Sequence, residues 1–95
     1  MIKIDNPNVK NQFKHRLARI EGQLRGVQKM VDENRDCKDI LQQLIALRGA
    51  LQSASLTFLQ DVAQDCALNL EKLDNPQAQY EQMMALIQLL GKATQ

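Results

Sequence analysis

Ninety-five residues with a formal net charge of +1 are enough for one domain, and an elongated one buries too little apolar surface to stand alone, so oligomerisation is expected. Aromatics make up 3% of the chain and the β-branched residues never alternate, which excludes a sheet and leaves an all-α fold. No apolar run nears the ~18 residues of a membrane span and no signal-peptide core is present, so a cytoplasmic protein with no membrane partner is expected.

Residues 1–6 read as a flexible arm. Asn6-Pro7 then starts a helix, with a capping side chain followed by a proline whose missing N–H costs nothing at the first position. From there Val9, Phe13, Leu17, Ile20, Leu24, Val27 and Val31 recur at steps of four and three, a single apolar stripe over about 7–33. Gly22 and Gly26 fall inside this helix, and close approach of another backbone is the expected compensation for their helix cost of up to about 1 kcal/mol each.

Asp36 is suited to cap a second helix over about 37–73, and Asp39 three residues on resembles a capping box. Its apolar series runs through Ile40, Leu44, Leu47, Leu51, Ala54, Phe58, Val62 and Cys66, without a proline until Pro76. Asp74, Asn75 and Pro76 end it and start a third helix over about 76–91, with Tyr80, Met83, Met84, Ile87 and Leu90 on one face and Gly91 as the stop.

Charge is uneven along the chain. Residues 1–38 hold nine Lys/Arg against five acids, a balance of +4, and the rest holds three against six, a balance of −3. This asymmetry is compatible with a nucleic-acid partner for the first helix and equally with a solvated face.

The chemistry rests on two thiols, Cys37 and Cys66, twenty-nine residues apart in one helical run. At 100° and 1.5 Å per residue they share a helix face to within about 20° but lie about 43 Å apart along the axis. Within one chain they cannot meet. If two copies pack antiparallel, Cys37 of one subunit comes level with Cys66 of the partner subunit, giving two identical dithiol sites about a twofold axis. The midpoint falls between Leu51 and Gln52, amid Gly49, Ala50, Ser53, Ala54 and Ser55, small residues placed where two such helices cross.

Cys37 stands in a first turn, where the macrodipole together with Arg35 and Lys38 favours the nucleophilic thiolate, against Asp36 and Asp39. It is the expected nucleophile, with Cys66 as resolving partner. The pair could also bind a soft metal such as Cu(I), but Val62, four residues before Cys66 on the same face, cannot ligate. His15, in the first helix, fits a surface or DNA-backbone role better than ligation. Two inert core cysteines in a helical interaction module remain the bland alternative. Nothing resembles a triad, a paired-carboxylate site or a phosphate loop, so an enzyme is not expected.

The run Arg16 to Gly26 (RLARIEGQLRG), then Asp36-Cys37-Lys38-Asp39-Ile40, Gln42-Gln43-Leu44 and Leu47-Arg48-Gly49-Ala50-Leu51, resembles the CsoR/RcnR/FrmR repressors over most of the chain. The resemblance implies an all-helical, disc-shaped dimer of dimers that binds operator DNA without a helix-turn-helix and releases it on sensing a metal or electrophile. Copper-sensing members place a cysteine, a histidine and a cysteine where this chain has Cys37, Val62 and Cys66. With the histidine replaced by valine, the chain is most similar to the CstR-like branch that senses reactive sulfur species (persulfide, polysulfide). That implies no cofactor, with Cu(I) on Cys37 and Cys66 as the alternative. The DNA-contacting arginine of the family matches Arg16. Lys14, Arg19 and Arg48 are the expected further contacts, because a second basic position of the family falls on Gln52-Ser53.

Overall fold

The computed structural model describes residues 2–68 and 75–93. They form α1 (Pro7–Asp32), α2 (Cys37–Leu68) and α3 (Pro76–Ala93), with no strand among the described residues. The part of the second helix expected over 69–73, and Asp74, lie outside the described residues.

Each helix start is closed by the side chain that the sequence places there. Asn6 Oδ1 accepts from the Asn8 N–H at 2.9 Å, Asp36 Oδ1 from the Lys38 N–H at 2.8 Å, and Asn75 Oδ1 from the Ala78 N–H at 3.2 Å. These bonds satisfy backbone donors that a helix start otherwise leaves orphaned. The end of α1 is closed by backbone alone. The Asn34 N–H donates to the Val31 carbonyl at 3.1 Å and the Arg35 N–H to the Met30 carbonyl at 3.0 Å, with Asn34 at φ 55. This is the paired-bond helix stop that needs a left-handed residue, and asparagine tolerates that region better than most side chains. It turns the chain so sharply that only four residues separate α1 from α2.

The resulting hairpin is antiparallel, as three cross-links show. Asn6 Nδ2 donates to Asp65 Oδ1 at 3.1 Å, the Phe13 and Phe58 rings stack with centroids 4.4 Å apart, and Arg16 pairs with Asp61 at 3.5 Å. The ring stack adds about 1 kcal/mol beyond the area it buries. α3 folds back on the later part of α2 in lighter contact.

The α1 stripe divides into two. Val27 is buried and Phe13 and Ile20 are half-buried, whereas Leu17, Leu24 and Val31, at heptad spacing, are exposed. On α2, Leu47, Ala54 and Val62 are buried while Leu41, Leu44, Ile45 and Leu51 are exposed. A molecule 56 × 29 × 16 Å is little thicker than one helix with its side chains, so a second apolar face has nothing to cover it. Its accessible surface is 7579 Å², against about 5,500 Å² for a compact monomer of this mass. The excess is as large as a standard protein interface.

Three local expectations need correction. Gly91 does not stop α3: no glycine among the described residues has positive φ, and the helix runs on to Ala93, with Lys92 complementing the carbonyl end. A Cβ at Gly22 or Gly26 would meet nothing within 4 Å, so no backbone approaches them within the subunit. Ala54, placed by its size at the crossing of two copies, is instead buried inside the subunit.

Candidate thiol site and basic surface

Cys37 is the first residue of α2 and is exposed. Asp36 fixes the turn beneath it through the bond to Lys38. Cys66 is half-buried, and Gln79 Nε2 of α3 donates to its Sγ at 3.6 Å. A single unbroken helix separates them, so the two thiols are held about 43 Å apart in the subunit, as their spacing requires. The described part of one subunit holds no group of three or more His, Cys, Asp and Glu that could hold a metal.

Val62 is 6% exposed, one of four buried apolar residues among the described residues. It lines an apolar cavity with Phe13, Phe58, Leu59, Leu86 and Leu90. Its methyl groups therefore belong to the packing of the subunit, and the position contributes no donor beside Cys66.

The acids of α2 hold α1 in place. Asp61 takes Arg16, and Asp65, one turn later and next to Cys66, takes Asn6, the cap of α1. Neither contact was anticipated from the sequence. Partners 45 and 59 residues apart leave no local pattern, and the only signal was that Asp61 and Asp65, the acids of this stretch, share a helix face.

Of the basic residues, Lys14, Arg19 and Arg48 are exposed and Arg16 is half-buried against Asp61. Around α1, Arg19 stands about 60° from Arg16 and Lys14 about 160° away, so Arg16 and Arg19 share a face that Lys14 does not. Arg48 lies thirteen residues from Asp61 along α2, roughly 20 Å, and lines a groove with Gln52 and Leu90. The structure brings Arg16 and Arg19 together and leaves Lys14 and Arg48 apart from them. His15 is exposed.

Comparison with known proteins places this arrangement. The copper-sensing transcriptional repressor CsoR of Bacillus subtilis (strain 168) is 47% identical over 57 residues, which are 60% of this chain and 56% of that protein. The copper-sensing repressor RicR of Mycobacterium tuberculosis is 39% identical over 57 residues, 60% of this chain and 59% of its own length. The matched segments thus span less than two thirds of either relative. Among solved structures, the copper-sensing repressor CsoR with Cu(I) from Geobacillus thermodenitrificans NG80-2 superposes with a TM-score of 0.73 at 36% identity, covering 96% of this chain and 94% of that one. The nickel-responsive transcriptional regulator InrS gives 0.69 at 32% identity, covering 84% and 90%.

These relatives overturn the expectation that no metal cofactor is involved, since they are named for copper or nickel; Cu(I), the alternative, is compatible with them. The two thiols of this chain fit Cu(I) by softness, because thiolates select it, and among the described residues of one subunit no cluster of three or more donors is present such as zinc or nickel would require. Residues 9–92 match the family described as "Metal-sensitive transcriptional repressor", and with a solved relative 36% identical along nearly its whole length, the chain belongs to that family.

Proposed function

We propose that the chain is a cytoplasmic repressor, not an enzyme, that binds operator DNA as a disc-shaped homotetramer of antiparallel dimers. Its inducer acts on the dithiol formed by Cys37 of one subunit and Cys66 of the partner subunit. The uncovered apolar faces of α1 and α2 support the assembly. Arg16 and Arg19 on one face of α1 are the first DNA contacts, with Lys14 and Arg48 as outlying ones. Each subunit supplies only a small basic patch, so several are needed along a duplex and binding falls steeply with salt.

The inducer assigned to the site is a reactive sulfur species, as in the CstR-like branch, and the observation that carries this is Val62. With a packed valine at the third position, the site presents two thiols suited to exchange chemistry. A low-molecular-weight persulfide, RSSH, transfers its outer sulfur to the Cys37 thiolate and leaves as RS⁻. The Cys66 thiolate of the partner subunit then attacks the inner sulfur of the Cys37 persulfide, forming a disulfide and expelling hydrosulfide. The two thiols lose two electrons and the transferred sulfur gains them. The crosslink ties the start of one α2 helix to the end of the antiparallel α2 beside it and changes the spacing of the basic faces.

A second reading, favoured by the copper-sensing relatives and the soft donors, is Cu(I) held by the same two thiolates. One experiment separates the readings: DNA binding by wild type, Cys37→Ser and Cys66→Ser with persulfide, with Cu(I) under a competing chelator, and with reductant. Persulfide should release DNA from wild type alone and give a covalent dimer by denaturing mass spectrometry. Release only by stoichiometric, tightly held Cu(I) selects the copper reading. Equal response of all three chains removes both and leaves inert cysteines.

A further inference from the structure

We propose that Asp61 is an intramolecular competitor of DNA phosphate for Arg16, so that the repressor's affinity is held down by its own second helix. This inference rests on the reading of Arg16 as a DNA contact. Arg16 Nη1 meets Asp61 Oδ2 at 3.5 Å, and the two side chains are 35% and 24% exposed. The guanidinium carries five N–H donors and a single contact to Asp61 is made, so most of the fork is left for another anion. A carboxylate this close to a DNA-facing arginine lowers the local positive potential and repels an arriving phosphate at the same time.

The setting of Asp61 makes it a defined feature of the fold. It sits on α2 beside buried Val62, in register with the Phe13–Phe58 stack one turn earlier, and Asp65 one turn later is bonded to Asn6 at the start of α1. Asp61 is thereby fixed relative to α1 on both sides, and Arg16, nine residues into that helix, is the cation it faces. Asp65 carries the same charge on the same helix and accepts from Asn6, not from Arg16, so its substitution removes an equal charge without touching the Arg16 contact.

The test uses the full chain and a labelled duplex selected from a random pool by the wild-type protein. Affinities are compared for wild type, Asp61→Asn, Asp65→Asn, Arg16→Ala and the Arg16→Ala/Asp61→Asn double variant, with circular dichroism and thermal melting to confirm folding. Asp61→Asn should bind about three- to fivefold more tightly than wild type, the range expected for release of a part-exposed ion pair. The gain should be clearly smaller for Asp65→Asn and in the Arg16→Ala background. A purely structural role for Asp61 would lower both melting temperature and affinity and would show no dependence on Arg16.

Equal or weaker binding by Asp61→Asn, or the same gain with and without Arg16, overturns the competition while leaving DNA binding intact. Unchanged binding by Arg16→Ala removes Arg16 from the contact surface and the competition with it. If no duplex is enriched by the wild-type chain, the function itself fails, a result distinct from either.

Discussion

The two ends of α2 are built on different principles although each carries one cysteine. At the Cys37 end the helix is held by local bonds, the Asp36 cap below it and the Asn34 turn before it, and the thiol stands exposed. At the Cys66 end three polar groups reach outside the helix: Asp61 to Arg16, Asp65 to Asn6, and the sulfur to Gln79. Chemistry at the first end meets little resistance and moves little. Chemistry at the second end disturbs contacts to both α1 and α3. In the proposed assembly the open thiol would receive the inducer and the tethered thiol would pass the change on across the subunit boundary.

The contrast can be broken at its centre. Leu51 is exposed in the subunit and sits midway between the thiols, so Leu51→Asp should dissociate the pair and abolish crosslinking. Light scattering after size exclusion would read a lighter species, and an intact assembly with normal crosslinking would mean that the ends meet through another face. A smaller effect is expected at the tethered end. Val62→His buries an imidazole in an apolar cavity and should cost about 2 kcal/mol by denaturant unfolding. No loss of stability there would show that the position opens toward the thiols instead of the core.

Alkylation compares the ends directly. With Leu51→Asp to separate the copies, iodoacetamide should label exposed Cys37 several times faster than Cys66, followed by mass spectrometry. Equal rates would erase the distinction. The smallest effect belongs to the local end: Asp36→Ala removes the cap under Cys37 and should cost about 1 kcal/mol, with the Arg16–Asp61 and Asn6–Asp65 contacts untouched.

The same contrast explains which features could be read from the sequence. The caps made by Asn6, Asp36 and Asn75 reach no more than three residues along the chain, and a short-range device is visible in a string of letters. The cysteine spacing was equally readable because a helix converts residue number into angle and rise. Asp61, Asp65 and Gln79 act across helices, and their partners depend on a register that no single helix specifies. The stripe of α1 shows the intermediate case: its periodicity located the helix but did not reveal that Val27 turns inward while Leu24 and Val31 stay exposed. Gly91 misled because glycine permits a left-handed stop without compelling one, and here the chain stays helical.

The unbroken length of α2 has a consequence for dosage. The proposed site, made from opposite ends of two such rods, would not exist in a lone chain, so its abundance would scale with the square of subunit concentration until the pair is saturated. Halving the protein in a cell below that point removes more than half of the receptors. On the proposed function, repression and detection would then fade together, since both would need the same paired subunits.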